Sequence, residues 1–165
     1  MKDALKSLGI LIIGLFVAII AYPFLHETGH SIAAVLAGAK IVEFDLLPIP
    51  SILCDASGVS TNGLVAVGFG GILFPIMISI ALPRKWFFTW YFRALLQGIS
   101  VLALVVSFVS VLFKVNPTDD MFQVLRFWQF DESLLLLILS CGIAAVLILI
   151  VIDRPGRRIC KFFEL

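Results

Sequence analysis

Leu8–Gly38 reads LGILIIGLFVAIIAYPFLHETGHSIAAVLAG, an apolar run that closes on a charged pentapeptide. Its first part, from about Leu8 to Leu25, is long enough as a helix to cross a hydrocarbon core of about 30 Å. Pro23 is expected to kink it, with helix resuming through His26-Glu27-Thr28-Gly29-His30 as far as Gly38, a plausible stop. The pentapeptide fits the pattern H-E-x-x-H and holds the two histidines of the chain. Helix positions i and i+4 share a face, so both imidazoles can grip one metal ion, while Glu27 stands beside them, placed to take a proton from a metal-activated water. The plainer reading is a pair of helix histidines satisfied by neighbours, with Glu27 paired to a cation. Ionisable groups in an apolar segment are costly and usually functional, which favours the metal reading.

The rest of the composition agrees with a membrane setting. Of 165 residues, 61% are hydrophobic and 14% charged, with mean hydropathy +1.13, where soluble domains carry about a quarter charged residues. The expectation is a single all-α, polytopic integral membrane domain over residues 1–165. A net charge near +1 with no basic stripe argues against nucleic acid. Cys54, Cys141 and Cys160 are far apart and suggest neither a disulfide framework nor a zinc knuckle. The N-terminus runs into HETGH without a clear cleavage site, so it reads as a retained span rather than a signal peptide.

About four transmembrane helices follow from the apolar runs: 8–25 continuing to 38, then 63–82, 86–113 and 134–152. Gly29, Ala33, Ala34, Ala37 and Gly38 offer a small-residue surface for close helix packing. The second span carries Gly68-Phe69-Gly70-Gly71, read as packing, and Asn62 before it reads as a turn residue or a donor to substrate. Trp86, Trp90 and Tyr91 are expected as interfacial anchors. In the first loop, Ile41 to Leu46 alternates, with Val42, Phe44 and Leu46 on one side and Ile41, Glu43 and Asp45 on the other. This short strand-like segment, ended by Pro48 and Pro50, is expected either to offer an open edge to an extended peptide or to pair within the protein.

Lys/Arg asymmetry sets orientation. Lys2, Lys6, Arg84, Lys85, Arg93, Arg154, Arg157, Arg158 and Lys161 fall on one side, nine against Lys40, Lys114 and Arg126 on the other. The expectation is a multi-pass protein, in the plasma membrane, with both termini cytoplasmic. The same count puts the HETGH end, the strand-like loop and the Asp119-Asp120 loop on one membrane face.

Catalytic zinc typically takes three protein ligands and keeps a fourth position for water. With no third histidine, Asp119 and Asp120 are the best candidates; the plainer reading is capping, with Thr118 or Asp119 as cap of the stretch Met121 to Phe127, and one aspartate can cap while the other ligates. Asp131, Glu132 and Asp55 are weaker, since Asp131 reads as a cap of the fourth span and Asp55 as a turn residue.

HETGH closing a first hydrophobic segment, the glycine-rich GFGGILFP and the downstream Asn116-Pro117-Thr118-Asp119 together resemble the site-2 protease family of intramembrane zinc metalloproteases, over roughly Leu8 to Phe130. The resemblance implies His26 and His30 as zinc ligands, Glu27 as the catalytic acid/base and an aspartate of the Asn-Pro segment as third ligand. The family's usual pattern there is N-P-D-G. Here Thr118 intervenes and no glycine follows, which leaves Asp119 and Asp120 open, with Asp120 preferred because the following run resembles the family's metal-bearing helix. The implied activity is zinc-dependent peptide hydrolysis on a membrane-embedded or membrane-adjacent protein substrate. The alternative is a non-catalytic module, either metal-binding or transporting, or a degenerate protease that binds membrane segments. Its transport form is disfavoured because the second, third and fourth spans look nearly free of ionisable groups.

Overall fold

The computed structural model describes residues 2–45, 50–127 and 131–163. The expectations placed on Leu46, Pro48 and Phe130 lie outside the described residues. Among the described residues the fold is all-α apart from one small hairpin, and four helical stretches are long and apolar enough to cross a membrane: Ala4–Leu36, Thr61–Ala81, Phe87–Phe113 and Glu132–Phe163.

The first stretch is α1 (Lys2–Phe16), a π-helical turn (Val17–Ala21) and α2 (Tyr22–Leu36) in continuous helix. Pro23 sits at the start of α2, where its missing N–H leaves a gap in the ladder. The wider turn absorbs this, with the Tyr22 amide donating to the Val17 carbonyl. The discontinuity expected at Pro23 therefore lies in the turn before it. Gly38 ends α2 at φ +91°, and its amide donates to the Val35 carbonyl at 3.1 Å, a left-handed stop that glycine adopts without Cβ strain.

The expected strand is β1 (Lys40–Asp45), and it is not alone. It pairs antiparallel with β2 (Ser51–Asp55), in a stretch expected as loop; Asp55 therefore ends a strand, and its carboxylate then accepts from the Ser57 amide at 2.9 Å. Val42 is an extra residue between the Ile41–Cys54 and Glu43–Leu53 pairs. This bulge breaks the alternation, so Ile41 falls on the face of Phe44, Ile52 and Cys54 rather than with Glu43.

α3 (Thr61–Ala81) is capped by Ser60, whose hydroxyl accepts from the Gly63 amide at 3.2 Å. Asn62 lies in its first turn, exposed, and not in a turn before the helix. α4 (Phe87–Phe113) is the central helix. One apolar cluster joins it to α3, α5 (Asp120–Phe127) and α6 (Glu132–Asp153) through Ile72, Leu104, Met121, Val124 and Leu139; another joins it to the first helix through Val17, Tyr22 and Leu96. Asp131 caps α6 as expected, accepting from the Ser133 amide at 2.9 Å.

Two expectations for α4 are corrected. Trp90 is not an interfacial anchor: it is fully buried, and its indole N–H donates to the Asp153 carbonyl at 3.2 Å; Trp86 is the exposed ring. Nor is this span free of charge. Arg93 is buried, and its Nε donates to Asp153 Oδ2 at 2.5 Å. Its Nη1 donates to the Ser79 and Ile80 carbonyls at 2.6 and 2.8 Å, satisfying the orphan acceptors at the end of α3. The basic tail is helical too, as α7 (Pro155–Phe163), set off from α6 by Arg154 at φ +48°.

Candidate metal centre

The glycine-rich stretch of α3 explains why three distant elements meet. Gly70 lies against the backbone of Gly29 on α2, where any side chain would collide, so the two helices cross at backbone contact. Two residues earlier, Gly68 receives the Val124 side chain of α5. One residue later, Gly71 faces the imidazoles: a Cβ there would meet the His30 ring and come within 2.7 Å of His26 Cε1. Thus GFGG is packing and also the cradle of the histidines.

The helix α5 is positioned by its own loop. The Asn116 side chain accepts from the Thr118 hydroxyl at 2.7 Å, closing the turn. Asp119 then caps α5: Oδ1 accepts from the Met121 and Phe122 amides at 3.0 and 3.2 Å, and Oδ2 accepts from Ser107 of α4 at 3.0 Å. Both Asp119 oxygens are thus engaged with α4 and α5, and among the described residues no hydrogen bond joins Asp119, the other ligand candidate, to the histidines. Asp120, the next residue, carries its carboxylate to them.

His26 Nε2, His30 Nε2 and Asp120 Oδ2 form a small triangle. Its edges are 3.0 Å between His26 and Asp120, 3.2 Å between His30 and Asp120, and 3.0 Å between the imidazoles. Three donors bound at about 2.0–2.2 Å around one tetrahedral ion stand roughly 3.3 Å apart, so the spacing fits a shared metal. The chemistry of the set fits too. His30 Nδ1 donates to the Val67 carbonyl at 2.7 Å, and a carbonyl can only accept, which fixes the proton on Nδ1 and leaves the Nε2 lone pair in the triangle when the ring is neutral. His26 is steadied by the Tyr22 ring, stacked at 6.2 Å between centroids, while its Nδ1 is buried without a hydrogen-bond partner among the described residues. Burial works to raise the Asp120 carboxyl, but when the imidazoles are protonated rather than neutral they donate to it, and those hydrogen bonds and the charge hold it well below the usual carboxylate range.

Glu27 completes the group. One of its carboxylate oxygens lies within 4.8 Å of ligand atoms of both histidines, and it is half-buried. The weaker candidates stay apart: Glu132 pairs with Lys114 at 2.9 Å, Asp131 caps α6, and Asp55 is held by its own turn.

No family model, no curated protein and no solved structure matches this chain. The centre therefore rests on its own geometry. Sequence reasoning missed the Val67 carbonyl, the Tyr22 ring and the space at Gly71. A backbone acceptor carries no residue signature, but the small residue facing the histidines was visible as part of GFGG.

The hairpin stands beside this group. Phe44 of β1 meets Phe24 edge to face at 6.3 Å, two residues before His26. The Cys54 thiol of β2 is pushed up by burial and then by the Glu27 carboxylate, so β2 lies within electrostatic reach of Glu27.

Proposed function

We propose that this protein is a zinc-dependent membrane peptidase that cleaves membrane-embedded or membrane-adjacent protein chains. The observation that carries the reading is the His26–His30–Asp120 triangle with the Glu27 carboxylate next to it. The resemblance of HETGH, GFGGILFP and the Asn-Pro segment to the site-2 protease family supports it. So does the apolar setting, in which unpaired ionisable groups are rarely retained without a task.

In this reading His26, His30 and Asp120 hold the zinc. The chemistry such an ion supplies is Lewis-acid polarisation of the scissile carbonyl and acidification of water. Glu27 accepts the water's proton on its carboxylate and returns it to the leaving amine. Val67 and Tyr22 keep the imidazoles in place, and Gly71 keeps room for them. A helical substrate hides its carbonyls in its own hydrogen bonds and must unwind before it can be cut. The hairpin is suited to hold the unwound segment, because each of its strands has one edge unpaired within the two-stranded sheet and β1 packs on the helix that bears the histidines. Phe44→Pro should then slow cleavage while leaving zinc content intact; equal turnover would remove the hairpin from the mechanism. Both termini are assigned to the cytoplasmic side of a plasma membrane from the Lys/Arg asymmetry, which keeps its direction when the buried Arg93 is left out.

The test is metal analysis of the detergent-purified protein, followed by cleavage of a transmembrane reporter. Wild type and Glu27→Ala should hold near one zinc per chain, Asp120→Ala should lose it, and only wild type should cleave. A well-folded wild type without zinc would overturn the reading.

One observation favours the transport alternative. Arg93, Gln97, Ser100 and Ser107 form a buried polar stripe along α4, and both amide atoms of Gln97 are without a hydrogen-bond partner among the described residues. Zinc uptake into proteoliposomes at a rate unchanged by Glu27→Ala would support that alternative over hydrolysis.

A further inference from the structure

At the end of the bundle opposite the histidines, a cavity of about 580 Å³ opens where α6 gives way to α7. Its wall is cationic, formed by Lys85, Arg154, Arg157, Arg158 and Lys161. The single carboxylate on it among the described residues, Asp153, is fully buried and already held by Arg93 and Arg84, at 2.5 and 2.7 Å. Arg158 is partly occupied, donating to the Arg84 carbonyl at 2.6 Å and lying over the Trp90 ring. Lys85, Arg154, Arg157 and Lys161 form no ion pair among the described residues. So many like charges around one hollow repel each other unless an anion joins them.

The rest of the cavity is apolar. Phe87 of α4 and Phe162 of α7 stack at 3.8 Å with planes 8° apart, and Ile152 completes the wall. Along α6 below it, Ile148, Val151 and Ile152 are more than half exposed, a face suited to hydrocarbon. α7 itself mixes Arg157, Arg158 and Lys161 with Ile159, Phe162 and Phe163, the composition of a basic amphipathic helix lying in a membrane interface. The site is thus a cationic hollow at the level where three apolar helices end, with an apolar face leading away from it.

We propose that this cavity binds the phosphate of an anionic phospholipid headgroup, with Arg154, Arg157, Lys161 and Lys85 around the phosphate and the acyl chains along the exposed face of α6. A phosphodiester supplies the missing negative charge, and its tails match the apolar face, which a free phosphate does not use. The lipid would brace α7 against the ends of α3 and α4, independently of whatever happens at His26.

The test is lipid titration of the full-length protein in mixed micelles, read by thermal shift and native mass spectrometry. The ligands are phosphatidylglycerol, phosphatidylcholine and inorganic phosphate. Phosphatidylglycerol should raise the melting temperature and stay bound, and phosphatidylcholine should do neither. Arg157→Gln with Lys161→Gln should weaken phosphatidylglycerol binding by roughly fivefold for each cation removed, while Arg157→Lys should retain it. Lys40→Gln, at the opposite end of the bundle, should leave binding unchanged. Equal effects of the two lipids, or equal losses in Lys40→Gln and the double variant, would overturn the site. Inorganic phosphate that stabilises as well as phosphatidylglycerol and competes it off would overturn the lipid assignment.

Discussion

Arg93, Asp153 and Arg84 at one end of the bundle, and His26, His30 and Asp120 at the other, both set polar groups against apolar helices, with opposite bookkeeping. Around Asp153 the buried carboxylate meets the Arg93 and Arg84 guanidiniums, and the Arg93 guanidinium also closes the open carbonyls of α3. The result is a clamp on α3, α4 and α6. At the histidine end the groups brought together are all of one kind: two imidazole nitrogens and a carboxylate oxygen, 3.0–3.2 Å apart. Such a set is complementary to a cation that is not part of the chain. The difference separates polar groups that hold a membrane fold together from polar groups held ready by it.

Four substitutions can break or sharpen that contrast. The largest effect is expected from Glu27→Gln, which should lower peptide turnover by roughly 10²–10⁴-fold with zinc content unchanged; turnover near wild type would remove Glu27 from the chemistry. Asp153→Ala should come next. It strands a buried guanidinium and should cost about 3–5 kcal/mol of stability, seen as a lower denaturation midpoint, while the protein that remains folded keeps its zinc. If zinc and stability fall together, the two ends are not separable. Gly71→Ala presses a methyl group into the imidazoles, and overpacking of this kind costs about 1–3 kcal/mol. It should appear as weaker zinc retention against a chelator, more than as unfolding. The smallest change is expected from Asp119→Ala, which removes the α5 cap at a cost of about 1 kcal/mol and should keep the metal that Asp120→Ala loses.

Parts of this arrangement were plain in the chain. Apolar runs of spanning length gave the four long helices, because a backbone in hydrocarbon must satisfy its own hydrogen bonds. Gly38 and Asp131 marked a helix end and a helix start through local stereochemistry and a local cap. The hairpin was half legible: Ile41–Asp45 showed a strand period, but SILCD is too short to signal a partner strand by itself, and the Val42 bulge has no signature in composition. Trp90 and Arg93 were misplaced for a shared reason. Aromatic and basic residues near a span end usually face the interface, and here the end of α6 covers them, supplying the Asp153 carboxylate and carbonyl that make burial affordable.

The sequence by itself determined that His26 and His30 share one helix face, because i and i+4 are neighbours by helical geometry alone, and that this face lies in an apolar span. Only the tertiary structure decided that Asp120 joins them and Asp119 does not. The two residues are adjacent, and only the resemblance of the run after Asp120 to the family's metal-bearing helix ranks them. The choice is made by Ser107 and the α5 amides, which occupy Asp119, and by Gly68, Gly70 and Gly71, whose missing side chains let α2, α3 and α5 close to contact. A cluster that joins Asp120 to residues ninety or more positions before it is fixed by how closely backbones can approach, and that is a property of packing rather than of spacing.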